Sequence, residues 1–164
     1  MSQRLVIDCR KFSFENKRID GFLALQSFDR LNDQLCNAEG TVHYVLSGFL
    51  GRDGRVCFEL EISGQLSLVC QRCLGPVAFP LDVKSSLELV PEGFDLALEP
   101  LEDDDKDFLP WTKTLDVGLL VEDEIILALP AVAKHPSCVL QGPAEGSTVT
   151  SPFVGLATLK SGLH

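Results

Sequence analysis

The fifty residues from Thr41 to Val90, "TVHYVLSGFLGRDGRVCFELEISGQLSLVCQRCLGPVAFPLDVKSSLELV", alternate between apolar and polar side chains. Runs of β-branched and aromatic residues flank the turn cluster "GRDG", which reads as a β-hairpin. In the run after it, Val56, Phe58, Leu60 and Ile62 share one parity, while Arg55, Cys57, Glu59 and Glu61 share the other. Leu66 and Leu68 continue the apolar parity. Beyond the "CQRC" turn, Val77, Phe79, Leu81, Val83, Leu87 and Leu89 face one way and Pro80, Asp82, Lys84 and Glu88 the other. A period of two across consecutive runs describes a four-strand antiparallel meander with one buried face. Pro80 on the polar side marks an edge or a bulge, because proline cannot donate to a ladder.

Working outward, "LDVGLLVEDEIILALP" (Leu115–Pro130) reads as a helix capped by Asp116 and stopped by Pro130. Its aliphatic residues point in nearly every direction left free by Glu122, Asp123 and Glu124, so more than one side should be covered. A carboxylate beside packed surface needs a partner, and Arg72 is the candidate; the alternative is that all three acids stand on a solvated rim. "RLVIDCR" reads as a short strand, and "SFDRLNDQL" (Ser27–Leu35) as a short helix with Ser27 as cap and Phe28, Leu31 and Leu35 as its apolar face. The expected architecture is α+β: an antiparallel β-meander of roughly four to six strands packed against one main buried helix, plus short helices. Residues 1–138 make one domain. Residues 139–164 are a Gly/Ser/Thr/Pro linker followed by a short helical tail, with Phe153, Leu156 and Leu159 as its apolar face.

The net charge of −10 is uneven. Residues 91–113 hold eight acids against two lysines, −6 of the total. This segment is expected to be a solvated acidic loop, or else a phosphate mimic that clamps a basic partner. The N-terminal residues Arg4, Arg10, Lys11, Lys17 and Arg18 against Asp8 and Glu15 leave a local +3. No run reaches the roughly 20 apolar residues of a membrane span, and the start does not read as a secretory signal, so a cytoplasmic protein with reduced thiols is expected.

A lone C-x-x-C is a weak signal and needs a second pair. Here "KHPSC" supplies His135 and Cys138 to join Cys70 and Cys73, three thiols and one imidazole, an ordinary ligand set for structural zinc. The pairs are 61 residues apart between Cys73 and His135, and spacing alone does not bring them together. Ordinary reduced thiols are the competing reading. A redox pair fits less well, because such a motif sits at a helix N-terminus after a strand, whereas this one joins two strands. Cys9, Cys36 and Cys57 read as packing residues. There is no phosphate-cradling loop, nucleophile elbow or acid–base pair beside a nucleophile, so an enzyme and a small-molecule substrate are not expected.

Three blocks, "VCQRCLGPV", "LLVEDEIILALPAVAKHPSC" and "PFVGLATLK", in this order and spacing resemble the bacterial YceD family, the large ribosomal RNA subunit accumulation proteins. The resemblance spans about Gly40 to Lys160. It carries over Cys70, Arg72 and Cys73 from the first block; Glu122, Asp123, Glu124, Pro130 and Cys138 from the second; and Phe153 and Leu156 from the tail. It implies a non-catalytic ribosome biogenesis factor supporting synthesis, processing or stability of 23S ribosomal RNA. If the chain touches ribosomal RNA or a large-subunit precursor directly, Arg10, Lys11, Arg52, Arg55 and Arg72 would have to form the basic face. The alternative is an acidic interaction module that holds a basic ribosomal protein or assembly factor, so that the effect on RNA is indirect.

Overall fold

The four strands expected along Thr41–Val90 are three in a computed structural model, which describes residues 5–91 and 106–138: the runs at 56–62 and 66–69 pass through Gly64 as one strand. β3 (Thr41–Leu50), β4 (Val56–Val69) and β5 (Pro76–Val90) pair antiparallel, with Leu46 opposite Leu60 and Phe58 opposite Leu87. The shared parity puts Val42, Tyr44, Leu46, Phe58, Leu60, Ile62, Leu66, Leu81, Leu87 and Leu89 on one buried face. Gly54, at φ +73°, closes the β3–β4 turn in the left-handed region that glycine enters without steric cost.

The sheet is larger than the meander and is mixed. β2 (Arg18–Ala24) adds to β3 antiparallel, and β6 (Lys106–Pro110) pairs with β5 in parallel, giving the order β2-β3-β4-β5-β6. A purely antiparallel sheet is therefore corrected. β6 lies inside the segment expected to be an acidic loop, where Phe108 and Leu109 are half-buried against β5. The charges around them hide a short strand whose pairing is decided by the neighbouring ladder. Residues 92–105 of that segment and the tail 139–164 lie outside the described residues. β6 runs beside β5 only from Ser86 to Val90, so Pro80 stands on a stretch of β5 paired on one side among the described residues.

β1 (Val6–Asp8) pairs antiparallel with β7 (Thr114–Asp116) in a separate two-stranded sheet. The strand expected across Arg4–Arg10 thus stops early: the Asp8 side chain accepts the Lys11 N–H and starts α1 (Cys9–Phe14). α1 lies across the buried face, Phe12 beside Phe58, and it needs Gly48 beneath it. A Cβ there would meet Phe12 Cδ1 at 2.4 Å.

The helix expected over Ser27–Leu35 is absent. Two short 3-10 turns, Leu25–Ser27 and Asn32–Gln34, replace it, and the Ser27 hydroxyl donates backward to the Ala24 carbonyl at 2.6 Å instead of capping forward. Asp29, Asn32 and Asp33 are poor helix residues because their side chains compete for backbone partners. Phe28, Leu31 and Leu35 are nevertheless buried, as their apolar character requires.

α2 (Val117–Ala128) is capped by Asp116, which accepts from the N–H groups of Gly118 and Leu119. Its buried residues, from Leu120 round to Glu122, sweep about 200° of the helix at 100° per residue. Leu119, Asp123 and Leu127 occupy the open flank. The breadth of its apolar surface thus becomes coverage on more than one side, but not all round. No helix among the described residues is long and apolar enough to cross a membrane.

Candidate metal centre

The β4–β5 hairpin ends in the "CQRCLG" turn. Cys70 N–H donates to the Gly75 carbonyl and Leu74 N–H to the Cys70 carbonyl, both at 2.9 Å, so the chain coils tightly around the first sulfur. Leu74 sits at φ +59°, a left-handed position that a non-glycine side chain seldom takes. The turn is held in that shape and presents Cys70 and Cys73 on one side. α2 ends before Pro130, and the chain then runs back to the hairpin tip, where Gln71 N–H donates to the Ala133 carbonyl at 2.8 Å. That bond places His135 and Cys138 opposite the two cysteines.

The four side chains converge. Their ligand atoms all lie within 4.8 Å of one another, with Cys70 Sγ to Cys138 Sγ at 3.8 Å and Cys73 Sγ to His135 Nδ1 at 3.4 Å. His135 Nε2 donates to the Pro76 carbonyl at 2.8 Å. This fixes the tautomer and leaves the Nδ1 lone pair aimed at the cluster, the outer-shell arrangement that metal-bound imidazoles use. Cys70 has no solvent-exposed surface, although it lies just under the turn and not in the deep core.

The electrostatics favour a bound cation. The Cys70 thiol is lowered to about 5, first by the Cys73 backbone N–H and then, against the cost of burial, by the Arg72 N–H, which lies 3.4 Å from its sulfur. His135 is raised by its bond to the Pro76 carbonyl and by Cys70. Cys138 is raised by burial and by the neighbouring Cys70. The lowered Cys70 is a thiolate at neutral pH, the form that ligates a metal ion, and a divalent cation would take the place of the protons on the other ligands. The cluster can hold a metal ion with all four ligands from the protein.

The other expected site residues do not gather here. Arg72 is exposed on the turn and does not reach α2; the expected pairing of Arg72 with the helix acids is corrected. Glu122 belongs to Arg30. Its Oε1 accepts the backbone N–H groups of Arg30 (2.7 Å) and Leu31 (3.2 Å), and its Oε2 accepts Arg30 Nε (3.2 Å) and Nη2 (2.9 Å). Asp123 takes Arg30 Nη1 at 2.6 Å. Glu124 accepts the Ser85 hydroxyl of β5. Two of the three acids are buried, Glu122 at 3% and Glu124 at 7% exposure, and the solvated-rim alternative holds for Asp123 alone. The acids brace α2 to the 28–31 turn and to the sheet. Arg30 was missed because its segment reads as a helix face; its signal is that it is the one Lys or Arg between Arg18 and Arg52.

Arg10, Lys11, Arg52 and Arg55 lie at the opposite end of β4 from Arg72. The fourteen residues of β4 separate them, about 40 Å at the rise of an extended strand, so these five bases do not form one face. Arg55 is further committed to Glu88 at 2.7 Å. Cys9 and Cys57 are buried packing residues, and burial raises both thiols. Cys36, expected to pack, is exposed.

The family model described as "Large ribosomal RNA subunit accumulation protein YceD" matches residues 58–160. A relative from Haemophilus influenzae that carries the same description is 28% identical over 163 aligned positions, covering 88% of this chain and 89% of its own. No solved structure matches the chain.

Proposed function

Because the chain belongs to the YceD family of large ribosomal RNA subunit accumulation proteins, we propose that it supports the synthesis, processing or stability of 23S ribosomal RNA in the cytoplasm. The observation that carries this reading is the family match, which takes in the hairpin tip, α2 and the segment bearing His135 and Cys138. The role is non-catalytic. Among the described residues, His135 is committed to the Pro76 carbonyl and the cysteine cluster, His43 lies against the Phe22 ring, and the α2 acids are committed to Arg30 and Ser85. None of them is left as a free acid or base beside a nucleophile.

The metal we assign to the cluster is zinc, in a structural role. Three soft sulfurs and one imidazole suit zinc, and no ligand position is left for water. The dimensions agree: tetrahedral zinc with Zn–S bonds of about 2.3 Å sets its sulfurs about 3.8 Å apart, the separation of Cys70 and Cys138. Bound there, zinc would pin the β4–β5 tip to the chain leaving α2.

Two measurements test these readings. A strain lacking the protein should accumulate less 23S ribosomal RNA relative to 16S, and the chain should restore the ratio; an unchanged ratio refutes the functional assignment. Protein purified without a metal-affinity tag should carry one zinc per chain, lost on joint substitution of Cys70, Cys73, His135 and Cys138. Fresh, reduced protein without zinc refutes the metal assignment.

A further inference from the structure

α1, the turn after it and the β3–β4 hairpin meet at the end of the sheet remote from the cysteine cluster. Gly48 N–H donates to the Lys17 carbonyl at 2.8 Å, Arg18 opens β2 opposite Ser47, and Arg52 stands on the hairpin turn. Arg10, Lys11 and Arg52 are exposed, and none has an ion pair among the described residues, whereas Arg18, in register with Ser47 and Glu59, turns to the face of the sheet opposite α1. Three nearby acids are spent: Asp8 caps α1, Glu15 pairs with Lys17 at 2.5 Å, and Glu88 pairs with Arg55. Asp53 remains on the hairpin turn, Asp107 stands on β6, and Asp20 and Glu59 share the outer face of the sheet with Arg18. A chain with a net charge of −10 thus keeps a group of uncommitted cations at one end.

Two exposed aromatic side chains lie at the same end. Phe14, the last residue of α1, is 72% exposed, and Trp111 is 48% exposed. Trp111 N–H donates to the Val90 carbonyl at 2.7 Å, and Cys9 N–H donates to the Lys113 carbonyl at 3.0 Å, which brings the 111–113 segment against the start of α1. Cations that can neutralise phosphates beside aromatic faces that can stack on unpaired bases are the two elements of a single-strand binding surface.

We propose that this end docks a single-stranded segment of RNA, its phosphates on Arg10, Lys11 and Arg52 and its bases against Phe14 and Trp111. The proposal rests on the ribosomal RNA reading above and deepens it, since it makes the contact with RNA direct. It also separates the two ends of the hairpin: the metal cluster shapes the fold at one, and RNA is held at the other.

Trp111 is the only tryptophan in the chain, so its fluorescence reports the contact. The full chain is titrated with a mixed-sequence RNA 12-mer, end-labelled for anisotropy, at 50 and 200 mM salt. Quenching of Trp111 with saturable binding is expected. Three neutralised phosphates on a single strand give a log–log salt slope near −2, about a 20-fold loss of affinity over that range. Joint Arg10→Gln, Lys11→Gln and Arg52→Gln substitution, all at exposed sites, should bring the slope close to zero. Lys84→Gln on the outer sheet face should leave it unchanged. Trp111→Ala should weaken binding about tenfold.

Absence of saturable binding at 50 mM salt, or a triple variant with the wild-type slope, overturns the proposal. Poly-glutamate bound as tightly as RNA would give the surface to an acidic protein and also overturn it. The two readings fail separately. A strain that needs the chain for 23S accumulation although the purified chain ignores RNA retains the function and loses this surface. A chain that binds RNA through these residues but is dispensable for 23S levels does the reverse.

Discussion

Glu122→Ala should be the most damaging of the alanine changes at the three acids of α2. The carboxylate collects four N–H donors, two from the backbone of the 28–31 turn and two from the Arg30 guanidinium, and is 3% exposed. Truncation leaves the Leu31 N–H without an acceptor beside a fully buried side chain, at a cost of about 1–3 kcal/mol. The Arg30 side chain is half-exposed and turns to water, so its loss adds less. The sum is about 3 kcal/mol. With a urea m-value of about 2 kcal/mol/M for a chain of this size, the unfolding midpoint should fall by about 1.5 M at unchanged m. Glu122→Gln keeps an acceptor for both backbone donors and should cost about 1 kcal/mol. Arg30→Ala should also lower the midpoint, whereas Arg72→Ala should leave it in place. The reasoning is refuted if Glu122→Ala stays within about 0.5 kcal/mol of wild type, the range of an ordinary surface change, or if Arg72→Ala matches Arg30→Ala.

Gly48→Ala places a methyl group 2.4 Å from the Phe12 ring and should cost about 1–3 kcal/mol by overpacking; a melting temperature unchanged within error would show that α1 can lift off the sheet freely. Gly54→Asn is its control, since nothing lies within 4 Å and asparagine tolerates positive φ, so melting should barely move. Ser85→Ala removes a donor from the buried Glu124 and should cost about 1–2 kcal/mol in urea unfolding. Thiol labelling at pH 7 should reach Cys36 first in metal-loaded protein and add Cys70, Cys73 and Cys138 after chelation. Cys9 and Cys57 should stay unlabelled until unfolding, because burial raises their pKa and keeps them protonated at that pH. Early labelling of Cys57 would contradict the packing around β4.

Local periodicity makes part of this fold legible in the chain. A side-chain period of two marks Thr41–Val90 as antiparallel strands and assigns their buried face, because a one-residue error would turn every apolar side chain to water, but it divides β4 in two at Gly64. The cap at Asp116 and the stop at Pro130 bound α2 for similarly local reasons. The ligand types of the metal cluster were legible too, as were the family blocks. Tertiary structure alone decided what depends on distant residues meeting. The Arg30–Glu122 pair spans 92 positions, and a carboxylate chooses among many possible cations only once the chain has been placed. The strand Lys106–Pro110 is too short and too charged to announce itself, and it exists because β5 offers it an edge. The 28–35 segment shows helical apolar spacing, yet Glu122 takes the N–H groups of Arg30 and Leu31 from across the molecule. His135 and Cys138 reach Cys70 and Cys73 because one backbone bond, Gln71 to Ala133, ties the segment after α2 to the hairpin tip. Sequence spacing carries no information about a closure that rests on such long-range contacts.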